Sequence, residues 1–449
     1  MPGRTISNRF GSGDFNISAN LSEDSIYRCS PQYQQHELFE IVLTVYDLCM
    51  PYSSAGQALS VHRFLFRCGL AIGNVFAWIL VFDYLLYFTR GSVPDAFVLA
   101  LFYYAIAQLV IFLTVPLAAQ YLRSGARRAL GISTLVMALA FAWLSASFAG
   151  FLGHSLTGIA WGSLLFVLFS GLYRSLYFVP YRVSAGVLSG WKPYMHILFE
   201  LYLTIMPIVG GLLISSFVAG PSIMLASVAF LMLLSLIPLL HVPETYESFD
   251  WSYGQTLKRF LDARNHSLVM ASIFDGMQGA ALLFIWPLAA FAIVGWSYML
   301  LGVVLSISLM LAFFIKSFIR AMRVTHIHRS PSILTAVSVG SWLLRLFTFT
   351  PGGIVLADTL YHAGTPKKIF GLDPAILEQT ADDAHYIDEY TALKEMGLAI
   401  GKITVCLAAG ILAFYVSALI ALASVLVAAS IASLISIFFV RMREPVLQQ

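Results

Sequence analysis

The sequence predicts an all-α membrane protein with twelve transmembrane helices in two pseudo-symmetric six-helix bundles. First, its 449 residues are 59% hydrophobic and 11% charged, with a mean hydropathy of +0.82. Soluble domains carry about 25% charged residues, so a chain this apolar needs lipid as its solvent. Second, apolar stretches of membrane-spanning length recur along the chain. Third, one long polar linker separates the first six stretches from the last six.

Each predicted span is close to the roughly 20 residues that the hydrocarbon core requires. The first bundle, 65–241, holds 67–88, 96–121, 128–150, 157–180, 197–218 and 221–241. The second bundle, 266–441, holds 267–291, 295–316, 331–348, 352–366, 394–416 and 418–440. The remaining parts are an N-terminal segment 1–64, a linker 242–265 and a tail 442–449. Residues 35–49 predict a short helix that lies on the membrane surface or packs under the bundle.

The distribution of basic residues predicts the orientation. With the N-terminus inside, only Arg90 of the 26 Lys and Arg falls in an outer loop. Cytoplasmic loops carry such an excess of basic residues. The N-terminus also lacks a signal-peptide pattern. We therefore expect a multi-pass protein of the plasma (cytoplasmic, or inner) membrane with both termini in the cytoplasm.

Several functional classes lack support in the sequence. The net charge is only +3 and no soluble domain carries a basic face, which argues against nucleic acid. The four cysteines, at 29, 49, 68 and 406, are scattered and read as reduced thiols. No Walker A, HExxH or GxSxG pattern is present. We expect no cofactor, no metal and no enzymatic activity.

Two motifs resemble the major facilitator superfamily. "LRSGARRAL" (122–130) is similar to that family's loop between helices 2 and 3, although Leu122 stands where the motif has an acid. "MPIVGGLL" (206–213) is similar to the P-x-x-G-G part of an antiporter pattern, with Met206 in place of a glycine. The layout is most similar to poorly characterised bacterial members. The resemblance implies a monomeric secondary transporter in which spans 1, 4, 7 and 10 line a cavity between the halves.

Polar side chains within those four spans are the candidate substrate and coupling residues. Such groups are expensive in hydrocarbon and usually face the bundle interior or an aqueous cavity. They are Asn74, Tyr173, Arg174, Tyr177, Asp275, Gln278, Trp286, Asp358, Tyr361 and His362.

Arg174 and Asp275 are the central pair of this prediction. Both lie roughly 10 Å from the cytoplasmic boundary, at a rise of about 1.5 Å per residue. We expect an ion pair that holds the inner side shut and opens when Asp275 is protonated or displaced by substrate. A purely structural clamp is the alternative.

A second polar cluster is predicted around Asp358, which either Arg345 or Lys402 could reach. This cluster is either one structural salt bridge or, together with His362, a group that titrates during transport. The first alternative is favoured because a carboxylate between two bases has a depressed pKa and carries protons poorly. In span 7, Trp286-Pro287 predicts a kink.

Charged residues near the cytoplasmic loops form a predicted gate. In it, Glu200 reaches Arg127 or Arg128, and Glu395 reaches Arg320 or Arg323. Arg123 belongs to the same basic loop as Arg127. The alternative is that both acids simply cap helix N-termini.

These features predict a transporter that moves a small solute by alternating access. We expect a symporter or antiporter that is driven by a proton gradient. An exporter of drugs, amphiphiles or lipids is the second possibility. A mainly apolar cavity that opens sideways would favour it, whereas a ring of Tyr173, Arg174, Asp275 and Gln278 would favour a hydrophilic solute. The third is a non-transporting sensor or scaffold that presents the N-terminal segment or the 363–393 loop to a partner.

Overall fold

A computed structural model describes residues 54–151, 156–187, 193–246, 249–321, 331–364 and 387–441. The predicted surface helix at 35–49, most of the 363–393 loop and the tail 442–449 lie outside these ranges.

Twelve long helical segments fill the described ranges, and they are numbered here in chain order. The first six are α1 (Ala55–Phe88), α2 (Val93–Gln120), α3 (Ala126–Phe148), α4 (Leu156–Val187), α5 (Pro193–Ser216) and α6 (Gly220–Leu234). A short helix, Tyr253–Phe260, lies in the linker. The last six are α7 (His266–Ile293), α8 (Tyr298–Ala321), α9 (Pro331–Leu346), α10 (Pro351–Gly364), α11 (Ile387–Tyr415) and α12 (Ala418–Arg441).

Ten helices within the described residues are long and apolar enough to cross a membrane, which makes this a multi-pass membrane protein. The two shorter helices are α9 and α10, with 16 and 14 residues. The first helix starts at Ala55 rather than at 67, where Ser54 accepts a hydrogen bond from the Gln57 backbone. Its added turns bury Leu59 and His62, so they belong to the packed core although they precede the apolar stretch.

The bundle has two ends. The linker end carries the linker, the α2–α3 connection and the start of α11. The opposite end carries the α1–α2, α7–α8 and α11–α12 connections. Helices α1 to α12 run between these ends, so the position of a residue along its helix indicates its depth in the bundle.

The two halves meet along two seams. On one side α2 packs against α11, with Ile111, Val115 and Ala119 against Ala392, Met396 and Ala399. On the other side α5 packs against α8. There the close approaches are backbone contacts: a Cβ on Gly302 would collide with the Pro207 carbonyl, and one on Gly211 would lie 2.5 Å from the Tyr298 carbonyl. Glycine therefore sets the spacing of the α5–α8 seam.

Aromatic rings join the halves toward the opposite end. Phe82 stacks on Trp296 with ring centroids 6.2 Å apart, and Tyr104 stacks on Phe284 at 4.5 Å. The Tyr298 hydroxyl donates to Asp83 Oδ2 over 3.0 Å, which links α8 to α1. These contacts close the bundle at that end.

A π-helical turn, Ala281–Ile285, interrupts α7. It lies directly before Trp286 and Pro287, so the irregularity predicted at this dipeptide takes the form of a wider turn on its N-terminal side. The missing Pro287 N–H falls where the helix winding already changes.

Candidate substrate cavity and buried ion pairs

A cavity of about 430 Å³ lies between the two halves and is lined by α1, α5, α7, α8 and α10. Its volume is within the 300–1,000 Å³ range of small-molecule sites. Fourteen of its 23 lining residues are apolar, so the wall is mainly hydrocarbon. The polar residues of the wall are Arg67, Asn74, Glu200, Thr204, Ser308, Lys316, Ser317, Asp358 and His362.

The cavity is elongated along the bundle axis. On α8 its lining runs from Leu305 to Lys316, which is about 16 Å at the α-helical rise. Arg67, Glu200 and Lys316 line the part nearer the linker end. The cavity is partly open to the outside of the bundle.

The structure places only part of the predicted site in this cavity. Asn74, Trp286, Asp358 and His362 line it. The other predicted residues are not among the lining residues: Tyr173, Arg174, Tyr177, Asp275, Gln278 and Tyr361. The resemblance implies a cavity lined by α1, α4, α7 and α10, but in the structure α5 and α8 line it and α4 does not. The cavity therefore lies to one side of the predicted position.

The Arg174 guanidinium contacts Glu395 and not Asp275. The Nη2–Oε2 distance is 3.3 Å, and the Glu395 side chain is 3% exposed. Because α4 packs against α11, Arg174 meets an acid of α11. The predicted pairing with Asp275 is wrong, since equal depth does not place two side chains on facing sides of their helices. Asp275 and Gln278 are half-buried on α7.

Arg345 and Asp358 form the most deeply buried ion pair among the described residues. The Nη2–Oδ1 distance is 2.8 Å, with side-chain exposures of 0% and 4%. The Trp286 indole N–H donates to the same Oδ1 over 2.8 Å. Three aromatic rings surround the guanidinium, those of Trp342, Tyr361 and Trp286, at 4.2, 4.9 and 5.2 Å. The cluster joins α7, α9 and α10.

Lys402 is not a partner of Asp358. Its Cε lies 3.3 Å from the position of a Cβ on Gly279, and its ammonium interacts electrostatically with Arg174 and Glu395. Of the two predicted bases, Arg345 alone is paired with Asp358 in the described structure. Lys402 instead belongs to the polar group at the α4–α11 contact.

The arginines of the predicted gate have other partners than the expected Glu200. Arg127 Nε donates to Glu244 Oε2 over 3.0 Å, and the Arg128 backbone N–H donates to Glu244 Oε1 over 3.2 Å. Arg123 donates to the Phe249 carbonyl over 2.8 Å. The acid that Arg127 and Arg128 meet is therefore Glu244 of the linker and not Glu200.

The same linker segment also contacts the second half. The Asp250 N–H donates to Glu389 Oε1 on α11 over 3.1 Å. We call residues 242–246 and 249–251 the linker strap, because they contact the α2–α3 connection and α11. The Arg320 side chain and Arg323 lie outside the described residues. Helix capping is also wrong for both acids, since α5 starts at Pro193 and α11 at Ile387, about two turns before Glu200 and Glu395.

Tyr177 is part of an aromatic stack between α1 and α4. It stacks on Phe66 at 4.4 Å and on Tyr181 at 5.8 Å. His62 lies beside it, 3.4 Å from the Tyr177 hydroxyl and 2.8 Å from the Ser235 carbonyl. Tyr173 is buried in the same group. These residues hold the first half together.

Sequence reasoning missed three charged residues of the site: Arg67, Lys316 and Glu244. Arg67 and Lys316 stand at the ends of predicted spans 1 and 8, and the sequence analysis gave them no role. The sequence feature that could have identified Arg67 and Lys316 is a single charge at the edge of an otherwise apolar stretch.

Solved transporter structures share the fold of this chain. A peptide transporter POT in complex with sulfate has a TM-score of 0.58 and 13% identity, over 86% of this chain and 94% of that one. A POT family transporter in complex with 5-aminolevulinic acid gives 0.57 and 12%, over 86% and 95%. A structure concerned with proton-dependent oligopeptide transporters gives 0.57 and 10%, over 86% and 98%.

No family model matches the sequence, and no curated protein matches it. At identities of 10–13% the structural likeness establishes architecture and leaves substrate open. The chain has the fold of POT-type transporters, which is the fold of the major facilitator type.

Proposed function

We propose that the protein is a secondary transporter that moves a small solute by alternating access, with the cavity between α1, α5, α7, α8 and α10 as its substrate site. The observation that supports this most is the cavity itself. Residues of both halves line it, and aromatic contacts close the bundle beyond it. A solute bound there contacts both halves, so its binding energy depends on how the halves are arranged.

We further propose that the drive is a proton gradient and that Glu395 is the coupling acid. Its ion pair with Arg174 joins the two halves, so the pair must break when the halves separate there. In the structure Glu395 lies between two bases, Arg174 and Lys402, so proton uptake belongs to the arrangement in which the halves have separated and the pair is broken. The bound proton then removes the negative charge that would re-form the pair with Arg174. The role predicted for Asp275 therefore passes to Glu395, with Asp275 as the second candidate.

The test is flux in reconstituted vesicles. A thermal-shift screen of metabolites and drugs first identifies a solute that stabilises the protein by mass action. Wild-type flux of that solute should follow an imposed pH gradient. Glu395→Gln should abolish this dependence, while Asp95→Asn at the exposed opposite end should leave it intact.

Two results contradict the proposal in different ways. If Glu395→Gln flux still follows the pH gradient, Glu395 is not the coupling acid. If the wild type moves no stabilising solute under any ion gradient, it is not a transporter. In that case, a partner-dependent activity that is lost on deletion of residues 1–34 would support the sensor or scaffold alternative.

An exporter of amphiphiles is the second candidate, and the cavity wall favours it over a carrier of strongly hydrophilic solutes. Fourteen of the 23 lining residues are apolar, and the predicted ring of Tyr173, Arg174, Asp275 and Gln278 does not line the cavity. The basic residues at the linker end support a cytoplasmic location of both termini in the plasma membrane. We propose that the transporting unit is a monomer.

A further inference from the structure

Polar side chains from both halves line the cavity at nearly the same depth. The hydrogen bond from the Tyr298 hydroxyl to Asp83 gives α8 and α1 a common reference level. From that level Ser308 lies ten residues along α8 and Asn74 lies nine residues along α1, so both are about 14–15 Å deep at the helical rise. The Thr359 hydroxyl donates to the Ser308 carbonyl over 3.4 Å, which places this part of α10 at the same depth.

Asp358, directly before Thr359, uses only one of its two carboxylate oxygens within the described structure. Its Oδ1 accepts hydrogen bonds from Arg345 Nη2 over 2.8 Å, from Arg345 Nε over 3.3 Å and from Trp286 Nε1 over 2.8 Å. Among the described residues Oδ2 accepts no hydrogen bond, although Asp358 lines the cavity. A carboxylate offers about four acceptor positions. The ion pair thus fixes the carboxylate and leaves its second oxygen for a donor in the cavity.

Asn74 and His362 also have unused capacity for hydrogen bonds. Both line the cavity, and His362 lies one turn after Asp358 on α10. Neither side chain makes a hydrogen bond to another residue that the structure describes. An amide donates and accepts, and so does a neutral imidazole. Because a buried polar group without a partner costs free energy, these groups favour a ligand that forms hydrogen bonds with them.

The charges that line the cavity favour a neutral ligand. Arg67 and Lys316 contribute two positive charges, and Glu200 and Asp358 contribute two negative charges, so the lining has no net charge. Each of these four residues already has an interaction within the protein. An ionic ligand would give up its hydration without gaining a free counter-ion, which is costly in a mainly apolar cavity.

The apolar part of the wall determines the body of the ligand. Fourteen of the 23 lining residues are apolar. Leu305 and Leu309 flank Ser308 on α8, and Leu70 lies one turn from Asn74 on α1. Polar and apolar side chains are thus mixed at the same depth. A matching solute is compact and carries its hydrogen-bonding groups directly on an apolar body.

We propose that the cavity binds a neutral, partly apolar solute that donates an O–H or N–H to Asp358 Oδ2 and forms a second hydrogen bond with Asn74. This inference rests on the proposed function, because it names the substrate class of the same cavity. Asn74 and Asp358 belong to different halves, so such a solute joins them. An analogue that lacks the donor leaves Oδ2 unpaired and is rejected for that reason.

Equilibrium dialysis with the full-length protein in phosphatidylcholine nanodiscs tests the proposal. The probes combine benzyl, cyclohexylmethyl and 2-naphthylmethyl bodies with a primary amide, an N,N-dimethylamide, a carboxylate or an ammonium group. Binding to empty nanodiscs is subtracted. At least one primary amide should bind saturably. Its dimethylamide should bind at least about tenfold more weakly, because it has no N–H to donate. The carboxylate and the ammonium ion of the same body should be at least about tenfold weaker as well.

Two variants locate the two hydrogen bonds. Arg345→Met/Asp358→Asn removes both ions of the buried pair together, and its asparagine presents an amide N–H in place of Oδ2 when its oxygen accepts from Trp286. The preference for the primary amide over the dimethylamide should then disappear. Asn74→Leu should weaken binding of the primary amide about tenfold. Thr404→Val, on an exposed position of α11, should leave it unchanged. Thermal stability, measured in parallel, shows that each variant is folded.

Saturable binding by none of the primary amides would overturn the proposal, as would a carboxylate or ammonium ion that binds as tightly as the amide of the same body. An unchanged amide preference in Arg345→Met/Asp358→Asn would also overturn it. These measurements need no flux. They can fail in a protein that transports an ionic solute, which leaves the proposed function standing, and they can succeed in a protein that transports nothing.

Discussion

Replacing Arg345 by methionine should destabilise the protein strongly. The substitution keeps an unbranched apolar stem but removes the charge that faces Asp358. The carboxylate would then remain 4% exposed without its guanidinium partner. Breaking a buried pair in this way typically costs about 3–5 kcal/mol. The loss of cation–π contacts with Trp342 and Tyr361 acts in the same direction.

The double variant Arg345→Met/Asp358→Asn separates the charge effect from the packing effect. An asparagine oxygen can still accept the Trp286 N–H, and no buried charge remains. We expect its free energy of unfolding to lie within about 2 kcal/mol of the wild type, because replacing both ions of a buried pair is often close to neutral. The two effects should thus be far from additive.

The cycle consists of the wild type, Arg345→Met, Asp358→Asn and the double variant. Their free energies of unfolding are measured by reversible unfolding in mixed micelles, followed by tryptophan fluorescence. The reasoning is refuted if Arg345→Met costs less than about 1 kcal/mol, or if the double variant loses the sum of both single losses. Either result would mean that Asp358 is solvated or protonated in the folded protein.

Three further predictions concern the contacts between the halves. Gly302→Val should lower thermal stability, with a cost of about 1–3 kcal/mol, because its side chain meets the Pro207 carbonyl; Gly254→Ala in the linker helix, with open space around it, should stay within about 1 kcal/mol. Glu244→Gln should accelerate tryptic cleavage of the linker, measured by gel, and an unchanged rate would mean that the Arg127 contact does not hold the strap. Tyr298→Phe removes the hydrogen bond to Asp83 and should increase cysteine labelling of buried positions from the opposite end; equal labelling would argue against a closing role.

Hydropathy was enough to locate the helices, because each one must satisfy its backbone within a stretch of apolar residues. It did not fix the helix ends: α1 and α11 continue past the apolar run into residues such as His62 and Glu389, which are buried by neighbouring helices. The partner of Asp358 was among the predicted ones, since a charge so deep in the bundle needs a base nearby. Hydropathy did not predict which helices line the cavity, because it does not indicate which helices pack together.

The errors in the site have one physical origin. Residue spacing gives depth, but the direction of a side chain around its helix depends on which helices pack together. Arg174 was therefore assigned the wrong acid. Glu244 was missed because a linker residue has no regular spacing that ties it to the α2–α3 connection.

The π-helical turn at Ala281–Ile285 fixes the rotational register of the last third of α7. Removing one residue from this turn would restore regular winding and rotate everything after it by about 100°. The indole of Trp286 would then leave Asp358, and Pro287 would leave the cavity wall. The segment before Ala281 packs on α11, so the turn lets one helix present one face to α11 and a differently rotated face to the cavity.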